Sequence, residues 1–171
     1  MGNTTSPDTL RLRWAEIEND PSLRDLPYKI ELNAAGKLEM SPASYRHGRV
    51  QGYIAVELGK QLQGGAVLGE VPIVTAIGVR VPDVAWASDD YISVVDEISP
   101  LPRAPEICVE VMSPSNSAQE MEEKTRAYLA VGAQEVWLAS ADGTIRYFDA
   151  AGERGSSAFP ISIPPMPQGA A

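Results

Sequence analysis

The sequence predicts a mixed α/β fold, in which a mixed β-sheet is flanked by helices and an N-terminal hairpin comes first. Two observations predict it. Helical and strand-like patterns are interspersed along the chain, and 171 residues with 44% hydrophobic content suffice for one domain with its own core. We expect a flexible tail over residues 1–10, a single domain over 11–153, and an edge segment with a loose tail over 154–171.

The first elements are a short helix and a hairpin. Residues Arg11–Asn19 favour a helix, which Pro21 ends. The strand-like runs Tyr28–Leu32 and Lys37–Met40 flank the turn-forming residues Asn33–Gly36. Two such runs around a turn are typical of a β-hairpin.

A long helix follows the hairpin, from about Tyr45 to Leu62. Ser41 or Ser44 can cap its start, and Gly64 with Gly65 ends it. Apolar residues recur every fourth position, at Val50, Ile54, Leu58 and Leu62. That spacing puts one apolar stripe on the face that meets a core.

The rest of the chain contains six further strand-like runs, at Ala66–Leu68, Val71–Ala76, Val79–Ala87, Glu106–Met112, Glu135–Ala139 and Thr144–Phe148. An acidic loop over Ser88–Ser99 and a rigid connector over Pro100–Pro105 separate the third run from the fourth. Asp142-Gly143 marks the turn before the last run.

The net charge of −9, from 14 basic and 23 acidic residues, argues against a protein that coats DNA with its general surface. Binding to DNA would need a local basic groove, a dimer, bound metal ions or a separate recognition partner. The single cysteine, Cys108, lies in an apolar run and cannot form an internal disulfide, which favours a buried thiol in a reducing compartment. Because the sequence shows neither a secretory signal nor a membrane-spanning stretch, we expect a cytoplasmic location with no membrane partner.

Two acidic residues stand in apolar surroundings. Asp83 lies in Val81-Pro82-Asp83-Val84, where a strand-end or turn residue beside proline is the simplest interpretation. Glu110 lies inside the run Glu106–Met112, on the same face as Cys108 and Met112. A carboxylate there is costly unless a cation, a metal or hydrogen bonds compensate it. A strand exposed on one face or a buried salt bridge would also explain Glu110, but the run is apolar enough to favour a functional site.

A lysine is the third residue of interest. Ser117 and Glu120 form a capping box for a helix that runs to about Val131, and Gly132 follows as a C-terminal cap. Lys124 lies on the core-facing side of this helix. It could extend along apolar surface with its ammonium in water, or act as a catalytic ammonium beside two carboxylates.

Together these three residue types form a known device for cleaving phosphodiesters. Carboxylate oxygens bind Mg²⁺, the metal lowers the pKa of a bound water, and an ammonium orients that water or neutralises charge on the phosphate. The spacing of Asp83, Glu110 and Lys124 is by itself a loose pattern.

A wider set of residues carries a specific resemblance over most of the chain: Leu26–Leu32, Gly36–Pro42, His47, Val81–Val84, Val109–Ser115, Lys124, Tyr128, Gly132 and Glu135–Trp137. Together they resemble the Uma-two family of putative restriction endonucleases, within the PD-(D/E)XK nuclease superfamily. The resemblance implies a restriction-endonuclease-like fold and a metal-dependent nuclease.

The resemblance also implies roles for individual residues. Asp83 matches the superfamily aspartate and Glu110 the second acidic residue, so both would bind metal, helped by a backbone carbonyl at Val111 or Met112. Met112 occupies the usual lysine position of the E-x-K motif, and Lys124 matches a lysine that has moved to the next helix.

Several polar residues near these positions are further candidates. The resemblance makes His47, the only histidine, a site residue, although a hydrogen bond near a helix start would also explain it. Arg46 and Arg49 beside it could touch phosphates or form a solvated face. Glu31 or Glu39 in the hairpin could supply a further acidic group.

We therefore expect a Mg²⁺-dependent or Mn²⁺-dependent endonuclease that hydrolyses DNA, with Asp83, Glu110, Lys124 and His47 as catalytic residues. A homodimer is expected because a duplex has two strands to cut. Two alternatives stay open: a non-catalytic interaction module that retains the fold, and a metal-dependent hydrolase of RNA or of another phosphate ester.

Overall fold

The computed structural model describes residues 5–95 and 97–167. Within these ranges the chain forms four α-helices: α1 (Pro7–Asn19), α2 (Tyr45–Gln61), α3 (Asp89–Val95) and α4 (Ala118–Ala130). The same residues form ten strands: β1 (Tyr28–Asn33), β2 (Leu38–Pro42), β3 (Gly65–Gly69), β4 (Ile73–Thr75), β5 (Gly78–Arg80), β6 (Val84–Ser88), β7 (Ile107–Val111), β8 (Glu135–Ala139), β9 (Ile145–Asp149) and β10 (Gly152–Arg154). The described residues include no helix long and apolar enough to cross a bilayer.

The strands form two sheets, and the predicted mixed α/β class is confirmed. A six-stranded sheet has the order β10-β9-β8-β7-β6-β3, with β7 and β8 parallel and its other neighbours antiparallel. A four-stranded antiparallel sheet has the order β2-β1-β5-β4. The predicted N-terminal hairpin is present as β1 and β2, and it belongs to this separate smaller sheet.

Helices cover both faces of the six-stranded sheet. On one face α2 packs with Val50, Ile54 and Leu58 against a buried cluster that includes Ile107 and Val109. On the opposite face α3 and α4 pack against a second cluster, which includes Cys108, Met121 and Tyr128. Because alternate residues of β7 enter these two clusters, Glu110 lies on the Cys108 face, beneath α4, as its position in the strand predicts.

The smaller sheet has its own core. Leu10, Trp14 and Ile17 of α1 pack against Leu32 of β1 and Val79 of β5. The side chains of α1 that are buried recur at three- and four-residue spacing, so a single helical stripe covers this sheet.

The chain passes from the smaller sheet to the larger one at Val81-Pro82-Asp83, between β5 and β6. The sequence predicts one continuous strand over Val79–Ala87, and this prediction is wrong, because the run is divided between two sheets. Pro82 has no N–H to donate to a strand ladder, which favours a break at this point. Asp83 therefore lies at the junction of the two sheets, where its N–H donates to the Val109 carbonyl at 2.9 Å.

The structure corrects the prediction at the N-terminus and in the acidic loop. Residues 7–10, which the predicted tail over 1–10 includes, form the first turn of α1, and the Ser6 hydroxyl caps it by accepting from the Thr9 N–H. Residues 1–4 lie outside the described residues. The predicted loop over Ser88–Ser99 contains α3, whose start the Ser88 hydroxyl caps by accepting from the Tyr91 N–H. The single domain over 11–153 stays a prediction.

The segment after β10 packs on the domain as far as it is described. Phe159, Ile161, Ile163 and Met166 are partly buried against the cluster beneath α2. The buried carboxylate of Glu135 accepts from the Ser157 hydroxyl at 2.7 Å and from the Ala158 N–H. Of the predicted edge segment and loose tail over 154–171, residues 157–166 therefore contain packing contacts, and residues 168–171 lie outside the described residues.

Gly78 is required for the pairing of the smaller sheet. Its φ is +116°, and a Cβ there would meet the Leu32 carbonyl oxygen at 2.0 Å. We expect Gly78→Ala to lower the free energy of unfolding by at least about 2 kcal/mol, from backbone strain and overpacking. Urea unfolding followed by circular dichroism measures this change.

Gly52, within α2, provides the matched control because nothing lies within 4 Å of a Cβ added there. Gly52→Ala should raise the free energy of unfolding by about 0.5–1 kcal/mol, since alanine favours a helix interior. An unchanged stability in Gly78→Ala would contradict the close β1–β5 contact.

Candidate active site

A cleft of about 430 Å³ opens where the two sheets meet α2 and α4. Its walls include all four residues that the sequence predicts as catalytic, together with Val111: the full predicted set is His47, Asp83, Glu110, Val111 and Lys124. These residues come from α2, the β5–β6 junction, β7 and α4. The fold therefore brings the predicted site residues into one place, whereas their catalytic and metal-binding roles stay predictions.

Asp83 is almost fully buried and makes polar contacts through both carboxylate oxygens. Oδ1 accepts from the Lys29 ammonium at 2.7 Å and lies 3.1 Å from Nε2 of His47. Oδ2 accepts from the Val111 N–H at 2.7 Å. Burial raises the pKa of Asp83, but the His47 hydrogen bond and the Lys29 ion pair outweigh it and lower the pKa to about 2. Asp83 is therefore ionised at neutral pH.

Glu110 is 2% exposed and faces α4. The Tyr128 hydroxyl donates to its Oε1 at 2.7 Å, and the Lys124 ammonium lies 3.4 Å from the same oxygen. The Lys29 ammonium lies 3.6 Å from Oε2. Burial raises the pKa of Glu110 above its ordinary value, against the lowering effect of the two lysines. Two ammonium groups and a hydroxyl thus compensate the carboxylate that the sequence places in an apolar strand.

Lys124 is buried and faces inward, as predicted. Its ammonium lies 3.0 Å from Oε2 of Glu31 and forms a bridge from Glu31 to Glu110. Burial lowers the pKa of Lys124, but these two carboxylates raise it above its ordinary value. Lys124 therefore carries its charge inside the protein, and it does not extend to solvent.

Glu31 is the acidic hairpin residue that joins the site. Its carboxylate accepts from the Val81 N–H at 2.8 Å, which fixes the chain just before Asp83. Burial raises the pKa of Glu31, but Lys124 and Lys29 hold it below its ordinary value. Glu39, the other hairpin candidate, lies opposite Glu31 and pairs with Arg80 at 2.6 Å, outside the cleft lining.

Lys29 is the site residue that the sequence analysis did not assign. Its ammonium contacts Asp83 and also donates to the Val81 carbonyl at 3.0 Å. Burial lowers the pKa of Lys29, but the carboxylates of Glu110, Asp83 and Glu31 raise it above its ordinary value. Lys29 and Glu31 are two residues apart on β1, so both face the cleft, and this alternation was the signal available in the sequence.

His47 enters the site from the first turn of α2. The Ser44 hydroxyl caps this helix by accepting from the His47 N–H at 3.2 Å. One turn later, the Gln51 amide donates to the Asp83 carbonyl at 2.9 Å. Helix α2 thus contacts Asp83 twice: His47 contacts the Asp83 carboxylate, and Gln51 contacts the Asp83 backbone carbonyl.

The two arginines near His47 in the sequence do not line the cleft that contains His47. Arg46 and Arg49 line a separate cavity beside the β8–β9 turn and the end of the described chain. The Arg49 guanidinium donates to the Pro167 carbonyl, so it holds the C-terminal segment in place. A phosphate contact by either arginine stays a prediction.

Met112, which the resemblance places at the lysine position of the E-x-K motif, is partly buried against the cluster beneath α4. An ammonium is supplied instead by Lys124 of α4 and by Lys29 of β1. The displacement of the catalytic lysine to α4 stays a prediction, and β1 provides a second ammonium beside the carboxylates.

The oxygen donors of the cleft fit a magnesium ion in the mode that this ion prefers. Mg²⁺ takes one or two carboxylates and completes its shell with water, whereas all-protein cages are unusual. Asp83 and Glu110 approach the same point closely enough to share one cation, the Lys29 ammonium. Among the described residues, no group of three or more His, Cys, Asp or Glu side chains is arranged to hold a metal ion. The donor set thus suits a hydrated ion on two carboxylates.

A comparison with protein-family models shows the family of this chain. The family model Uma2, described as "Putative restriction endonuclease", matches residues 14–155. The chain belongs to the Uma2 family. The match includes every predicted site residue and both strands of the hairpin that carries Lys29 and Glu31. A search of curated proteins finds no match.

One of two similar solved structures shares the fold. A crystal structure described as a putative nuclease belonging to DUF820, from Anabaena variabilis, has a TM-score of 0.58 at 17% identity, with 70% of this chain and 71% of that chain covered. At this identity the likeness shows the fold alone. The cryo-EM structure of a DrdV–DNA complex has a TM-score of 0.40 at 12% identity, covering 87% of this chain and 12% of the other.

The Asp83–His47 contact predicts the titration of the only histidine in the chain. The hydrogen bond with Asp83 raises the pKa of His47 above its ordinary 6.5, despite partial burial. NMR titration of the imidazole without divalent ions should give an apparent pKa above 6.5. Because the folded-state pKa exceeds the unfolded one, this contact stabilises the fold fully below about pH 6.5 and ceases to do so as pH rises through the folded-state pKa.

The variant His47→Gln isolates that contribution. Its free energy of unfolding in EDTA should fall less than that of the wild type as pH rises above 6.5, because glutamine carries no charge to lose. An imidazole pKa at or below 6.5 in the wild type would contradict the paired geometry.

Proposed function

We propose that this Uma2-family chain is a metal-dependent endonuclease that hydrolyses DNA phosphodiester bonds with Mg²⁺ or Mn²⁺. One observation carries the proposal: Asp83 and Glu110, from different segments, share a single cation at the base of an open cleft. Family membership supports the nuclease class.

In this proposal Asp83 and Glu110 hold the metal, with the backbone carbonyl of Val111 as a further ligand. When bound, the metal supplies an activated water and stabilises charge on the phosphate. The Val111 N–H fixes Oδ2 of Asp83, which leaves Oδ1 directed toward the shared position. The Lys124 ammonium neutralises Glu110 and provides positive charge toward the attacking water and the phosphate.

His47 orients Asp83 in this scheme. Its Nε2 lies 3.1 Å from Oδ1, and the hydrogen bond with Asp83 raises its pKa, which widens the pH range of the protonated imidazolium. An imidazolium beside Asp83 keeps that carboxylate ionised and adds positive charge at the cleft wall.

The DNA substrate, a homodimeric state and a cytoplasmic location belong to the same proposal. The chain has a net charge of −9, so binding depends on local cations in the cleft and not on the general surface. RNA or another phosphate ester is the alternative substrate, because this chemistry does not distinguish the sugar.

One specific observation favours a non-catalytic module as the second candidate. Glu31, Asp83 and Glu110 are each paired with a lysine ammonium. A charge cluster neutralised in this way could serve structure alone, and only an activity measurement separates the two functions.

Plasmid cleavage with Mg²⁺, Mn²⁺ or EDTA tests the proposal. We expect nicking that requires a divalent ion, and Asp83→Asn and Glu110→Gln should each reduce its rate by at least about 100-fold, because metal catalysis contributes several kcal/mol. Lys124→Met should reduce the rate as well.

Glu122→Gln is the matched control. Glu122 lies on α4 like Lys124, but it is exposed, and its one ion pair within residues 5–95 and 97–167 is with Arg126, so the variant should cleave like the wild type. Thermal melts establish that each variant is folded. Metal-independent cleavage, or wild-type rates in folded Asp83→Asn and Glu110→Gln, would contradict the assignment.

A further inference from the structure

The Lys29 ammonium occupies the point at which the two site carboxylates converge. It lies 2.7 Å from Oδ1 of Asp83, 3.0 Å from the Val81 carbonyl oxygen and 3.6 Å from Oε2 of Glu110. Three protein oxygens thus surround one positive charge. Oxygen atoms are also the ligands that Mg²⁺ prefers.

An ammonium and a divalent ion cannot both occupy that point. Mg²⁺ binds oxygen at about 2.0–2.1 Å, so an ion shared by Asp83 and Glu110 would lie within the space that the Lys29 ammonium takes. The two cations also repel each other strongly at such short separation in a buried site.

The Lys29 side chain has space to move. It lies between the cleft and a neighbouring cavity of about 260 Å³, and it lines both. Its side chain is 14% exposed, and its four-carbon stem is flexible. Glu70 also lines both cavities, so the region open to the Lys29 side chain contains a further acidic residue.

Lys124 is placed differently, although it is the other lysine of the cleft. It bridges Glu31 and Glu110 and lies deeper, with 6% of its side chain exposed. Its described hydrogen bonds and ion pairs do not include Asp83. Lys124 can therefore remain in position when an ion binds between Asp83 and Glu110.

We propose that Lys29 is a tethered cation that holds the metal position in the metal-free protein and is displaced when a divalent ion binds. The inference rests on the metal site of the proposed function. Metal binding is then an exchange of cations: the ammonium leaves Asp83 and Glu110, and the divalent ion takes its place. Lys29 thereby lowers the affinity for the ion and keeps the two buried carboxylates compensated in its absence.

Calorimetric titration with Mn²⁺ measures this competition directly. Lys29→Gln should bind Mn²⁺ at least about tenfold more tightly than the wild type, because no ammonium has to be displaced. Lys29→Arg keeps the charge and should show no such gain. Lys124→Gln removes an equal charge nearby without vacating the shared position, so its gain should be clearly smaller than that of Lys29→Gln.

The outcomes separate this inference from the proposed function. Equal or weaker binding by folded Lys29→Gln, with wild-type binding intact, would overturn the displacement and leave the metal site standing. An equal gain in Lys124→Gln would also overturn it, since general charge removal would then suffice. If neither the wild type nor Lys29→Gln binds Mn²⁺, the displacement and the metal site both fail.

A second measurement uses the wild-type protein and does not depend on the folding of variants. Reductive methylation with ¹³C-formaldehyde labels lysines according to their accessibility, and the chain has only four: Lys29, Lys37, Lys60 and Lys124. We expect the labelling rate of Lys29 to rise on addition of Mg²⁺, in proportion to the bound ion. The exposed Lys37 and Lys60 serve as internal controls and should not change. An unchanged rate for Lys29 under saturating Mg²⁺ would overturn the proposal.

Discussion

The structure depends on the compensation of three buried carboxylates, Glu31, Asp83 and Glu110, by ammonium groups from two different elements. Taking a carboxylate out of water is expensive, and the cost is recovered only when partners of opposite charge are held in good geometry. Here β1 and α4 supply those partners, so the hairpin and the last helix must both lie against β7. The same requirement places the cleft at the meeting point of the two sheets, because only there can residues from both reach one another.

Much of this arrangement could be predicted from the sequence, because its signals are local. The period-two alternation of β7 predicts that Glu110 shares a face with Cys108, and the structure places this face beneath α4. The helical spacing of α4 predicts that Lys124 faces the core, where it is buried. Ser117 caps α4 as predicted, and Ser44, one of the two candidate caps, precedes α2. Local patterns do not show which distant segments lie close together in space. The family resemblance supplied that expectation for the site residues.

The parts that could not be predicted depend on tertiary contacts. Lys29 looks like an ordinary charged residue of a hairpin, and its role follows from the position of Asp83, 54 residues later. The break at Pro82 separates two strands that share one apolar run, and the existence of a second sheet cannot be read from that run. Helix α3 lies in an acidic segment whose composition indicates a loop, yet Tyr91 and Val95 anchor it on the core.

The origin of the site from two sheets has a consequence for folding. Two long-range contacts complete the site. Lys29 contacts Asp83, which lies 54 positions later in the chain, and Glu31 contacts Lys124, which lies 93 positions later. Contacts of such long range are slow to form, because the intervening chain must lose its freedom first. A growing polypeptide that has not yet produced α4 contains Glu31, Asp83 and Glu110 without their deepest counter-charge. The charged centre is therefore completed only after α4 has been made and has packed against both sheets.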